Sequence, residues 1–349
     1  MPLACRLLDA AGEAAWDAFV AAHPDGTFFH RAGWRRAIEQ AFGHRTHYLL
    51  TERDGTLTGV LPLVNVRSLL FGNTLISVPF CVYGGPLAAD RESFTALVEA
   101  ATVLLSRTRA SALEFRPLAE PPPGWLDDAA WTVRDDLYVT FRKPIEADDE
   151  ANLKAIPRKQ RAVVRKGIER GLTAAVGRDT DGLHRIYAES VRNLGTPVFA
   201  RRYFRILADI FGPDMDVLTV RNGTDDVAAV MNFYWRDEVL PYYGGGTAAA
   251  RQCHANDFMY WAVMRHAAAR GCRLFDFGRS KAGTGSFAFK KNWGFTPAPL
   301  RYRFRLAPGA SVPDHNPLNP KYRLFIAAWK RLPLPVANLL GPHIVRGVG

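Results

Sequence analysis

The chain has 349 residues, 48% of them hydrophobic and 23% charged, which excludes a disordered chain and suits two cores better than one. Its net charge of +11 is local: residues 158–171 carry six cations against Glu169 alone, and residues 301–349 carry eight against Asp314 alone. Such concentration points to one anionic partner surface rather than to general solubility.

In chain order, residues 12–22 and 31–42 show helical spacing, with Trp16, Phe19, Trp34 and Ile38 as inward positions. Residues 48–52 and 58–66 flank Asp54-Gly55 and predict a hairpin. A strand at 74–80, a turn at Gly84-Gly85-Pro86, a helix at 91–107 and a strand at 111–116 follow. Residues 117–130, with Pro117, Pro121, Pro122, Pro123 and Gly124, continue neither element, and a strand at 137–142 closes this half.

The second half repeats the order. A strand at 216–221 turns at Asn222-Gly223 into a strand at 227–235; a strand at 239–243 runs into Gly244-Gly245-Gly246; a helix at 255–270 leads to a strand at 273–277. Three echoes align the halves. LTERDG at 50–55 answers LTVRNG at 218–223, Tyr83-Gly84-Gly85 answers Tyr243-Gly244-Gly245, and Glu114-Phe115-Arg116 answers Asp276-Phe277-Gly278, at offsets of 168, 160 and 162 residues. A nearly constant offset argues for tandem duplication. The fold class expected is α/β (α+β), with mixed sheets flanked by helices and parallel neighbours across each helical crossover. The domains expected are 1–150, 151–308 and a basic amphipathic tail at 309–349.

Several clusters carry chemistry. Pro157 opens a helix on which Arg158, Arg161 and Arg165 share one face, suited to reading phosphate oxygens; a merely solvated basic helix is the alternative. Residues 276–295 end a strand at Gly278 and pass Arg279 and Lys281 in a glycine-punctuated loop before a short helix with Lys290 and Lys291. Strand ends in open sheets are common ligand sites, so these cations are candidates for substrate phosphate. In the third cluster, Tyr243, Gly244 and Gly245 end a strand where backbone N–H groups can hold a developing oxyanion, or where glycine only serves a tight exit. Asn256 or Asp257 is placed as a cap of the next helix. Arg192 and Asn193 fall between two helical stretches and are candidates for an acceptor channel, or a plain connector. Asp276 is a candidate base or, preferably, an orienting carboxylate. No Walker loop and no Ser/His/Asp triad is readable.

The four cysteines, Cys5, Cys81, Cys253 and Cys272, form no C-x-x-C pair and have no metal-ligand spacing, so a reduced compartment and no metal are expected. The N-terminus lacks a signal-peptide pattern, and no window reaches the ~18 apolar residues needed to span a bilayer, so a cytoplasmic location is expected. Residues 319–349 bracket short apolar stretches with cations and place Tyr322 and Trp329 beside them. That composition suits peripheral contact with the inner membrane face, or docking on the protein's own surface.

The strings IPRKQRAVVRKGIERGL (156–172), SVRNLGTPVFARRYF (190–204), VLPYYGGGTAAA (239–250) and LFDFGRSKAGTGSFAFKKNWGF (274–295) resemble the FemAB family. More narrowly, they resemble FemAB-like proteins associated with exosortase (PEP-CTERM) and exopolysaccharide systems. The resemblance implies tandem GNAT-like (acyl-CoA N-acyltransferase-like) domains and transfer of an acyl or aminoacyl group onto an amine. It also implies a phosphate-bearing, lipid-linked or saccharide acceptor held by basic residues of the second domain, with Lys290 and Lys291 at the matching positions. The long helical-hairpin arm of some relatives is missing, as is the R/Q-x-x-G-x-G/A loop of acetyl-CoA-dependent enzymes. The donor therefore stays open among aminoacyl-tRNA, acyl-CoA and acyl carrier protein, and no bound cofactor is expected. A non-catalytic peripheral membrane component of an export system is the alternative.

Overall fold

The computed structural model describes residues 3–313 and 320–349, with side chains described outside 320–323. These residues form two compact units, 3–138 with 299–313 and 346–349, and 139–298 with 320–345.

The first unit opens with Ala4–Leu7 (β1) and two helices, Glu13–Ala22 (α1) and Gly33–Phe42 (α2), which bury Trp16, Trp34 and Ile38. Phe19 is only partly buried. After Arg45–Thr46 (β2), the hairpin forms from Leu49–Arg53 (β3) and Thr56–Leu61 (β4), turning on Asp54 and Gly55 at positive φ. The single strand expected at 58–66 is two strands. Pro62 has no N–H to continue a ladder, and Val64–Ser68 (β5) joins a different sheet from β4. Gly72–Ile76 (β6) stops before residue 80, where Val78 and Phe80 take positive φ. Leu87–Ala88 (β7), Arg91–Thr108 (α3) and Ala112–Phe115 (β8) complete this stretch. One sheet runs β1-β3-β4-β7; in the other, β8-β6-β5-β2 are neighbours, and β6 and β8, joined through α3, are parallel as the crossover requires.

The strand Thr132–Pro144 (β9) carries the chain into the second unit, and is longer than the expected 137–142. Asp149–Ala155 (α4), Arg158–Glu169 (α5), Thr173–Gly177 (β10), Thr180–Leu194 (α6) and Arg201–Phe211 (α7) precede the sheet's centre. That centre is Met215–Asn222 (β11), Asp225–Trp235 (β12) and Glu238–Gly246 (β13). Ala248–Gln252 (α8) and Ala255–Ala269 (α9) then cross over to Leu274–Ser280 (β14), and Gly285–Asn292 (α10) follows. The strand order is β10-β11-β12-β13-β14-β9, with β13 and β14 the parallel pair. Helix α9 supplies Trp261, Val263 and Met264 to a core that also holds Val230, Phe275, Phe277 and Trp293.

The last strand, Pro297–Leu306 (β15), pairs with β8 through Arg303↔Phe115, so this segment packs with the first unit and not, as the 151–308 boundary has it, with the second. Pairing partners, not sequence neighbours, set the cut. The tail splits too. Pro320–Trp329 (α11) and Leu334–Val345 (α12) belong to the second unit, whereas 346–349 return to the first. Leu334 packs on Ala188 and Val191 of α6, and Arg192 donates to the Lys330 carbonyl at 3.3 Å. One face of the tail therefore docks on its own protein. Residues 314–319 lie outside the described residues, as do the side chains of Lys321, Tyr322 and Arg323.

Candidate functional site

The pairing of β13 with β14 covers only Glu238↔Leu274 and Val239↔Phe275. Beyond it β13 stays with β12 as far as Gly246↔Ala228, while β14 keeps to β9 on its other edge, from Leu274↔Pro144 and Asp276↔Arg142 to Arg279↔Thr140 and Ser280↔Val139. The two parallel strands thus part, and alternate N–H groups of residues 240–246 face the side that β14 has left.

Charge is gathered at the root of this parting. Arg142 on β9 stands 3.2 Å from Asp276 Oδ2 and also pairs with Glu238, the first residue of β13. Burial pushes the Glu238 carboxyl up, against the pull of Arg142. Asp276 is 1% exposed, and its Oδ1 accepts from the Gly278 N–H at 2.7 Å. Gly278 has φ +64°, and the ladder to β9 slips between Asp276 and Arg279. The left-handed backbone there explains the glycine. Asp276 therefore pins a bulge in β14.

Lys290 closes the same bulge from α10. Its Nζ donates to the carbonyls of Gly278, at 3.2 Å, and Arg279, at 2.9 Å, and lies over the rings of Phe141 and Phe277. Burial lowers its pKa to about 7, although Asp276 nearby pulls upward. Lys291, one position on, is exposed. The two lysines expected as a phosphate-holding pair have different surroundings, because one helical step turns them apart. Arg279 and Lys281 sit half-buried at the end of β14.

The glycines answer a packing demand. A Cβ on Gly245 would lie 2.4 Å from Ser190 Cβ on α6, and one on Gly246 2.5 Å from Ala250 Cβ and from Asn256 Oδ1; on Gly244 it would meet Val230 at 2.8 Å. Successive residues of a strand face opposite sides, so α6 covers one face of β13, and α8 with the start of α9 the other. Tyr243 is 5% exposed; its hydroxyl meets that of Tyr203 at 2.9 Å among the rings of Tyr187, Phe199 and Phe204. It is a core tyrosine rather than a presented catalytic group.

On α5, Arg158 and Arg165 are exposed and Arg161 half-buried along a shallow surface groove, with Val164 turned into the α9 core. Asp257 anchors this region: it accepts from Trp293 Nε1 at 2.9 Å and from Gln160 of α5. It does not cap α9, whose N-cap is His254 with no side-chain cap. A Cβ on Gly294 would lie 2.9 Å from Pro157, so the chain just past Lys291 abuts the residue before Arg158. Arg158, Arg161, Arg165 and Lys291 thus belong to one side of the sheet. Arg192 and Asn193 do not join them; they form the last turn of α6, on the other side, where Arg192 holds the tail. Arg142 and Glu238 also stand at the parting, and the one signal of them in the sequence is a cation ending an otherwise apolar strand. Among the described residues no cluster of His, Cys, Asp and Glu could hold a metal ion.

Residues 153–291 match the family described as acetyltransferase (GNAT) domain. No curated protein matches the chain by sequence. Solved structures do match in shape. The crystal structure of FemX superposes with a TM-score of 0.69 at 17% identity, covering 87% of this chain and 97% of that one. The C-terminal domain (DUF2156) of a protein from Agrobacterium fabrum named for lysylphosphatidylglycerol synthesis gives 0.57 at 14% identity, over 85% and 93%. A tandem GNAT protein from the clavulanic acid biosynthesis pathway gives 0.55 at 13% identity, over 89% and 100%.

Proposed function

Given a chain that carries a GNAT acyltransferase domain on a FemAB-like tandem fold, we propose that it transfers an acyl or aminoacyl group onto the amine of a phosphate-bearing, lipid-linked acceptor in envelope or exopolysaccharide assembly. The observation that carries this reading is the parting of β13 from β14 beside the Asp276–Arg142–Lys290 cluster. FemX shares the fold, and a protein named for lysylphosphatidylglycerol synthesis shares it too and supports the choice of an aminoacyl group and a lipid acceptor.

The acceptor amine attacks the activated acyl carbonyl in the gap. The new C–N bond forms, the carbonyl oxygen becomes negative, and alternate backbone N–H groups of β13 past Pro241 are the donors that would stabilise it. Collapse expels the donor's hydroxyl or thiol, and the ammonium loses one proton. Asp276 is already engaged by Gly278 and Arg142. Lys290, with its pKa lowered to about 7, is the titratable group at the strand end matched to that proton. Arg158, Arg161, Arg165 and Lys291 hold acceptor phosphate. The donor is an aminoacyl-tRNA, an acyl-CoA or an acyl carrier protein.

The test is a transfer assay with each donor class and a lipid-linked saccharide extract, read by mass spectrometry. Lys290→Met should lower kcat by about 100-fold with KM little changed. The Arg158→Ala/Lys291→Ala pair should raise acceptor KM about tenfold at low salt and less at high salt. Unchanged acceptor KM in the pair would remove the phosphate assignment; no transfer from any donor would remove the reading itself.

A further inference from the structure

Exposed apolar side chains gather on the two tail helices of the second unit. Leu324 is 83% exposed and Leu339 69%, with Phe325, Val336 and Leu340 also open. On α12, Val336, Leu339 and Leu340 share one face by their spacing, while Ala337 and Gly341 on the opposite face are buried. The docking fixes which face is outward. A Cβ on Gly341 would lie 2.8 Å from the Val198 backbone N, and one on Gly195 2.5 Å from Ile326, so both helices are seated too closely to roll. Between them, at the joint, Lys330 and Arg331 are both exposed. From residue 315 to the end the sequence holds no Asp or Glu.

We infer that this outward face is an interfacial anchor for an anionic phospholipid bilayer. Leu324, Phe325, Val336, Leu339 and Leu340 enter the boundary between headgroups and acyl chains, and Lys330 and Arg331 meet lipid phosphate. An apolar face on a segment that carries exposed cations and no carboxylate complements a surface that is negative above and hydrocarbon below, and suits a protein groove lined with cations poorly. The helices have 10 and 12 residues, about 15 and 18 Å at roughly 1.5 Å per residue, so they lie on a membrane rather than cross it. No described helix is long and apolar enough to span one. The inference rests on the lipid-linked acceptor only for its purpose: it would bring the enzyme to the surface where that acceptor resides.

The experiment is co-sedimentation of the full chain with vesicles of phosphatidylcholine alone and of phosphatidylcholine with phosphatidylglycerol, with no donor or acceptor present. Binding should be at least about tenfold tighter to the anionic vesicles. Leu339→Glu/Leu340→Glu should weaken it by about tenfold or more, and Lys330→Glu/Arg331→Glu should erase the preference for phosphatidylglycerol. Leu339→Trp, which keeps an apolar surface residue, should be quenched by brominated lipid. Absent sedimentation, binding unaffected by the double Glu variant, an unquenched Trp, or a dimer in light scattering that the same substitutions dissolve would each overturn the anchor. Because no transfer is measured, such a failure leaves the enzymatic reading standing, and a failed transfer assay leaves the anchor standing.

Discussion

One helical step separates Lys290 from Lys291, and it decides what each can do. Lys290 turns inward, where its amine ties two carbonyls of the β14 bulge; Lys291 remains in water. The folded pKa of about 7 lies below the ordinary 10.5, so between those values the unfolded chain binds more protons than the folded one. This contribution to stability is largest above 10.5 and is lost as pH falls toward 7. Urea unfolding should show wild type gaining about 3 kcal/mol over Lys290→Met between about pH 7 and 9.5; parallel curves would mean the amine titrates normally. The Arg142–Asp276 contact makes a second residue-scale prediction. Arg142→Met takes the guanidinium paired with the buried Asp276 carboxylate, and should cost about 3 kcal/mol or more. Asp276→Asn keeps an oxygen for Gly278 and should cost less than half of that. The order of these two losses distinguishes a charge-balancing carboxylate from a mere hydrogen-bond acceptor. Neither partnership is visible in the sequence, since Arg142, Glu238 and Asp276 come from three strands that only the sheet order makes neighbours.

At the scale of elements, the run Gly244, Gly245, Gly246 was legible as special, but its reason was not. The sequence admits both a substrate approach and a packing demand; the structure places α6 against one face of the run and α8 with α9 against the other. Gly245→Ala should therefore destabilise by about 1–3 kcal/mol through collision with Ser190, and Ser190→Gly should recover much of that loss in the double variant. No recovery would point instead to a backbone requirement at residue 245. The hairpins, the long helices and both parallel crossovers were legible because turn chemistry and apolar period are local signals. The break at Pro62 was also written in the sequence, as a residue that cannot serve a ladder. Strands β1, β10 and β15 were not read: β1 and β10 are short and exposed, and β15 is strongly charged, so none has a clean alternating pattern.

For the whole molecule, the tail is stitched to both units, so removing it is not a neutral change. Arg346 gives its carbonyl to His44 at 2.6 Å, and Gly347 and Gly349 pack against Ser68 and Ile76 in the first unit. In the second, α12 covers Val191 and Val198, and α11 sets Ile326 against Gly195. A chain ending at residue 345 should lose about 2–4 °C in the melting of the first unit, whereas one ending at residue 319 should also lower that of the second. Equal melting of all three chains would mean the tail is not docked. For this reason the charge-reversal and Glu variants, not truncation, are the clean probes of a membrane role.

The sequence by itself determined the α/β class, the repeated order of elements, the turns and the location of the basic segments. Each of these follows from local preference or from the identity of a side chain. Tertiary structure alone decided which cations share a face, that Lys290 is half-buried against the strand-end bulge while Lys291 is exposed, that β15 belongs with the first unit, and which tail face looks outward. These depend on pairing register and helix rotation, in which a shift of one residue reverses inside and outside, and residues more than a hundred positions apart become partners.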